Sequence, residues 1–166
     1  MSLENVHKLE QAVVAILNFD GWQLKWTGEG SSHFDAEGLC PEKNGERKKC
    51  VVEMKFRNKY YEGKLLEKYK YDKLMALDKD VVKLYFVNDP KGNYLFWLNN
   101  LNMPELETKS MRKTTLWAND KTAKEIYLLP ESKAAIVNRN DIQRPEKGIW
   151  DEYFKRMGKY LLNNLG

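Results

Sequence analysis

Apolar residues recur at helical spacing at the start of the chain. Leu3, Val6, Leu9, Val13, Val14, Ile16 and Leu17 form one stripe and predict a helix over residues 3–19. Asp20-Gly21 closes it, with Gly21 suited to the left-handed residue that follows a helix. The period then shortens to two. Residues 23–27 predict a short strand, 28–32 (GEGSS) a loop, and 33–40 and 49–56 two strands joined through Asn44-Gly45. A second helical stripe runs over residues 62–78. Strands follow at 81–87 and 94–98, with a turn through Asp89-Pro90-Lys91-Gly92-Asn93 between them. Residues 99–124 are polar and carry no clear period. A late strand at 124–129 stops at Pro130, and an amphipathic helix spans 149–165 with Trp150, Tyr153, Phe154, Met157 and Leu161. The order helix-strand-strand-strand-helix-strand-strand predicts an α/β (α+β) fold, a mixed sheet flanked by helices. Residues 1–102 would form the core. Residues 103–166 would be a C-terminal extension packed on the same domain.

Composition narrows the class. With 166 residues, 42% of them hydrophobic, the chain has enough apolar surface to build a core and is not a disordered polymer. No apolar run approaches the roughly 18 to 20 residues of a membrane-crossing helix. The first ten residues do not read as a secretory signal, and two cysteines are too few for a disulfide scaffold, so the expectation is a cytoplasmic protein with no membrane partner. The net charge of +4 permits an anionic partner without demanding one. Cys40, Cys50 and His33 offer three soft ligands without a zinc spacing. Ser31 and Ser32 have no His-Asp pattern around them, which argues against a serine hydrolase.

The chemistry concentrates on the strand Cys50-Val51-Val52-Glu53-Met54-Lys55-Phe56. Alternation puts Val52, Met54 and Phe56 on a core face and Val51, Glu53 and Lys55 on the other. On its own, Glu-x-Lys reads first as a solvated ion pair on an edge strand. The preceding strand adds Asp35. A three-residue hairpin loop with Gly45 left-handed pairs residues whose numbers sum to 88 and brings Asp35 opposite Glu53; a two-residue loop would turn Asp35 into the core. The even register is the expectation. Adjacent carboxylates repel and call for a cation, and their hard oxygens suit Mg²⁺ or Mn²⁺. Glu10 lies inside the apolar stripe of the first helix, where a glutamate needs an ion partner or a metal. Lys70 and Lys73 lie inside the stripe of the second, either snorkelling past the core edge or aimed at phosphates. The basic tip at 41–49 and the basic, tyrosine-bearing run at 57–73 are either solvated faces or DNA contacts.

Asp35 followed by Glu53-x-Lys55 on the next strand, with a helix bearing Glu10 before and a helix after, resembles the PD-(D/E)xK nuclease superfamily. Within it the chain looks most like archaeal Holliday junction resolvases and related phage nucleases. The spacing from Glu10 to Gly21 and the position of Ser31-Ser32 are similar to theirs. The likeness runs over residues 4–98 and leaves 99–166 uncovered. Phe34 stands where the signature has Pro. Lys70 or Lys73 stands near where resolvases carry glutamine on the second helix.

The resemblance implies a restriction-endonuclease-like sheet and metal-dependent hydrolysis of DNA phosphodiesters, in junctions or branched DNA, during recombination, repair or phage DNA processing. It implies that Asp35, Glu53 and the Met54 carbonyl hold Mg²⁺ or Mn²⁺, with Glu10 completing the site. Lys55 would orient the attacking water and stabilise charge, since adjacent carboxylates oppose the fall in pKa that a base needs. Ser31, Ser32, Lys70 and Lys73 would contact DNA. A two-fold junction would ask for a homodimer. The alternative is a nucleic-acid-binding module on the same fold that does not cleave.

Overall fold

The structure is a computed structural model that describes residues 2–30, 32–113 and 120–139. Helix α1 (Leu3–Phe19) starts on Ser2, whose hydroxyl accepts the Asn5 N–H, and ends at Asp20, followed by Gly21 at φ 89°. Strands β1 (Gln23–Trp26), β2 (Ala36–Pro41) and β3 (Arg47–Phe56) form an antiparallel meander. The chain continues through β4 (Gly63–Glu67), α2 (Lys68–Met75), β5 (Val82–Asp89) and β6 (Gly92–Trp97). Then come β7 (Glu107–Arg112), β8 (Lys121–Pro130) and β9 (Ile136–Arg139). The main sheet has the order β1-β2-β3-β5-β6-β9, with β3 and β5 parallel, and a second sheet has the order β4-β8-β7. It is the expected mixed sheet with helices. Among the described residues no helix is long and apolar enough to cross a membrane.

Both faces of the main sheet are buried. On one, Val13 and Val14 of α1 pack with Leu24, Val52, Met54, Leu84, Phe86 and Leu95. On the other, Val51, Tyr85, Val87 and Phe96 pack with Leu66 of β4, Leu74 of α2 and Leu129 of β8. Each fully buried side chain of this kind contributes about 1.5 to 3 kcal/mol. The face that carries Glu53 is therefore no solvated edge: Val51 is 5% exposed and every residue of β5 beside it is buried.

The helix expected over residues 62–78 is corrected. Its first part is β4, paired antiparallel with β8, and only Lys68–Met75 is helical. Leu65 and Leu66 mimic a helical stripe, but Lys64 and Leu66 are buried in alternation, the period of a strand. The partner that makes this segment a strand lies more than fifty residues away, outside any local window. The long strand expected to start at residue 33 begins at Ala36, because bends occupy 33–35. The unassigned stretch 99–124 contains β7. Strands from beyond residue 102 pair with earlier ones, β8 with β4 and β9 with β6. A buried ion group fastens the second sheet to the first: Lys64 Nζ lies 2.6 Å from Asp89 and 2.9 Å from Glu131. The helix expected at 149–165 lies outside the described residues.

Candidate functional site

The β2–β3 hairpin sets the frame. Ala36 pairs with Val52 and Glu37 with Val51, the even register. Gly45 has φ 81° and Glu42 N–H donates to Glu46 O at 2.8 Å, the loop that this register requires. Asp35, just before β2, donates its N–H to Val52 O (2.9 Å), and its Oδ2 accepts the Met54 N–H (2.7 Å). It thereby holds the residues on either side of Glu53. The loop before it is closed at its base, where Thr27 N–H donates to Asp35 O (2.9 Å) and Thr27 Oγ1 to Phe34 O (2.8 Å). Ser32 in this loop is exposed, and Ser31 lies outside the described residues.

Glu53 is 6% exposed and Glu10 is 5% exposed. Burial, reinforced by the charge of Asp35, pushes each carboxyl up from 4.5 to about 7. Burial raises Asp35 too, against the Met54 hydrogen bond and the charges of Lys70 and Lys55. Glu10 reaches the group from α1, its Oε2 accepting the Trp26 indole N–H at 2.8 Å. That pair lies against Gly28, where a β-carbon would sit 2.6 Å from Trp26 Nε1 and 2.7 Å from Glu10 Oε2. The glycine that reads as loop flexibility is thus a space for the Trp26–Glu10 contact.

Two lysines act on the acids. Lys70 Nζ lies 3.1 Å from Glu53 Oε1 and 3.2 Å from Oε2. Its own burial lowers its pKa, but Glu53 and Asp35 outweigh that and raise it. Lys73, the other candidate on α2, is exposed and stands 5.5 Å over the Tyr69 ring, so α2 sends Lys70 to the acids and turns Lys73 away. Lys55 has its pKa lowered by burial and by the charge of Arg57, against the pull of Glu53 and Glu67. The carboxylates oppose the fall, as expected, and burial outweighs them.

Three further residues border the site without having stood out individually in the sequence. Arg57 Nη2 is buried without a hydrogen-bond partner. Glu67, at the end of β4, exerts its charge on Lys55 and Lys70 and is paired with Lys124 of β8 at 3.1 Å. No local pattern marks Glu67 or Lys124, because only the β4–β8 pairing brings them here. Cys40 and Cys50 are free and buried, and among the described residues they belong to no group of three His, Cys, Asp or Glu side chains that could hold a metal.

The donor chemistry suits a hard divalent cation. The carboxylates are desolvated, the charge of Asp35 raises both glutamates, and the Lys70 ammonium already serves as a cation on Glu53. Among the described residues no three His, Cys, Asp or Glu side chains form a closed metal-binding group. Glu10 is turned to Trp26 and Asp35 to the Met54 amide.

No family profile matches the chain, and no curated protein matches it. Among solved structures it is similar to the Holliday junction resolvase Hjc of Archaeoglobus fulgidus, an archaeal hyperthermophile, at 15% identity and a TM-score of 0.47. That match covers 77% of this chain and 93% of the resolvase. At this level the likeness decides neither activity nor substrate.

Proposed function

We propose that the chain is a divalent-metal-dependent nuclease of the PD-(D/E)xK type, hydrolysing DNA phosphodiester bonds. The observation that carries this reading is the pair Asp35 and Glu53: two desolvated carboxylates, one just before β2 and hydrogen-bonded to β3, the other on β3, with Lys70 paired to Glu53 and the charge of Lys55 acting on both. Such an arrangement opposes folding at neutral pH and is hard to account for as packing alone.

In this reading Asp35, Glu53 and the Met54 carbonyl would hold Mg²⁺ or Mn²⁺, and Glu10 of α1 would complete the site. A bound divalent ion lowers the pKa of a coordinated water and stabilises negative charge on phosphoryl oxygens. Lys55, two residues beyond Glu53, donates to the attacking water or to a phosphoryl oxygen. Its depressed pKa also brings it nearer the range in which an amine accepts a proton. Lys70 neutralises Glu53 and, with a side chain partly open to water, would meet phosphate. Arg57 supplies a guanidinium donor to phosphate beside the two lysines. Exposed Ser32, in the loop before Asp35, would contact DNA, as would Ser31, and a two-fold substrate would be met by a homodimer.

A DNA-binding module without cleavage is the second reading. The Lys70–Glu53 pair and the Asp35–Met54 hydrogen bond favour it, since both are what purely structural acids would make. Incubation with duplex, flap, four-way-junction and single-stranded DNA in Mg²⁺ and in Mn²⁺ separates the two. Cleavage of any of these that EDTA stops supports the nuclease; binding without cleavage supports the module.

A further inference from the structure

The second sheet is uneven. Strand β4 pairs only with the far half of β8, from Glu67↔Ile126 to Gly63↔Pro130. Strand β7 pairs with the near half, from Glu107↔Ile126 to Arg112↔Lys121. The segments 108–112 and 121–125 are thus a two-stranded ribbon extending past the end of β4. The Lys113 N–H, donating to Asp120 O at 3.0 Å, prolongs it. All of β7 is exposed except Met111, which is partly buried. A ribbon of two strands with so little apolar burial is marginally stable by itself.

Its charges make it less stable still. Lys109 stands directly opposite Lys124, and Arg112 directly opposite Lys121. Like charges at facing positions of an antiparallel pair are destabilising. Alternation puts Lys109, Lys113 and Lys124 on one face and Arg112 and Lys121 on the other. Lys124 is held by Glu67, and Lys109 has a loose contact of 3.5 Å with exposed Glu107. Among the described residues Arg112, Lys113 and Lys121 make no ion pair. The face bearing Lys124 joins the candidate site through Glu67, whose charge acts on Lys55 and Lys70.

We infer that the β7–β8 ribbon is an arm that grips the phosphate backbone of a DNA duplex leading away from the acidic site, through Lys109, Arg112, Lys113 and Lys121. The inference rests on the reading of that site as one that acts on DNA. Cations set against cations, on a projecting element, continuous with a site that takes a phosphodiester, are complementary to a polyanion. Phosphates relieve the repulsion that the ribbon carries alone, and each phosphate neutralised releases counterions. An acidic protein would not need the face of Lys109 and Lys113 to run on through Lys124 to Glu67.

The test is binding of labelled duplex DNA in EDTA over a range of salt, by wild type and two variants. Arg112→Ala/Lys121→Ala removes the like-charge pair on one face, and Lys109→Gln/Lys113→Gln strips the other. Neither touches the acidic site, and thermal melts should show both variants at least as stable as wild type. Each pair should weaken duplex binding about tenfold or more and reduce the slope of log K against log salt by about 1 to 2. Affinity and slope both unchanged in both variants would overturn the arm, as would a wild-type chain that does not bind duplex. The nuclease reading is scored separately, by cleavage in Mn²⁺. Arm-dependent binding without any cleavage would sink the nuclease and keep the arm; cleavage with binding indifferent to both variants would do the reverse.

Discussion

The Lys70 ammonium stands almost equally far from the two oxygens of Glu53, at 3.1 Å and 3.2 Å, while the acid is buried and the lysine is partly open to water. The pair holds a carboxylate inside the protein until something else does. Lys70→Met should therefore destabilise the metal-free protein at pH 8. Because Lys70 is 37% exposed, the loss should be about 1 to 2 kcal/mol, below the cost of breaking a fully buried pair. At pH 5, where Glu53 is protonated, the loss should nearly vanish. The rise in melting temperature on adding Mn²⁺ should be larger than in wild type, because no ammonium competes for Glu53. Denaturant titrations at both pH values check this, and an equal loss at pH 5 and pH 8 would contradict it.

Glu10 gives a pH dependence of definite sign. Its folded pKa is about 7 against an ordinary 4.5, so between those values the folded state holds a proton that the unfolded chain has lost. Stability is then greatest at and below about pH 4.5, falls as pH rises toward 7, and levels off above, a change of about 3 kcal/mol for a shift of this size. Glu53 contributes in the same direction. Glu10→Gln retains an acceptor for the Trp26 indole and carries no charge. In EDTA it should equal or exceed wild-type stability at pH 8 and flatten the profile, while binding Mn²⁺ more weakly. A clear destabilisation at pH 8 with an unchanged Mn²⁺ shift would remove Glu10 from the site.

Gly28→Ala would place a methyl group within 3 Å of both partners of the Trp26–Glu10 hydrogen bond. The contact should break, at a cost of about 1 to 3 kcal/mol for overpacking a filled space. The Trp26 indole N–H resonance should move and its exchange with solvent should speed up. An unshifted resonance would mean that the loop yields instead.

Arg57→Met should leave the metal-free protein as stable as wild type or more so, because the guanidinium it removes includes a buried donor without a partner. The same substitution should weaken DNA binding. Lost stability with unchanged DNA affinity would make Arg57 a structural residue.

Legibility in the sequence followed the range of the interactions. Helix α1 could be read because its stripe is local, and Glu10 stood out because a charge within that stripe is a local anomaly. The β2–β3 register was legible because loop length and Gly45 fix it within a few residues. The segment 62–78 was misread because what makes β4 a strand is β8, and Lys64 looks polar until Asp89 and Glu131 surround it. Glu67 and Lys124 were invisible for the same reason. Lys70 and Lys73 cannot be separated on a helical stripe drawn over 62–78, whose first part is β4, whereas a helix starting at Lys68 aims only Lys70 at the acids.

The central claim is that Asp35 and Glu53 hold the ion that cleaves DNA. Rates of strand cleavage in Mg²⁺ and Mn²⁺ for wild type, Asp35→Asn and Glu53→Gln, each shown by thermal melting to be folded, test it most directly. The account predicts EDTA-sensitive cleavage by wild type, none by either carboxylate variant, and about 10²-fold or more loss of rate with DNA affinity kept in Lys55→Ala. Cleavage by both carboxylate variants at the wild-type rate would contradict it.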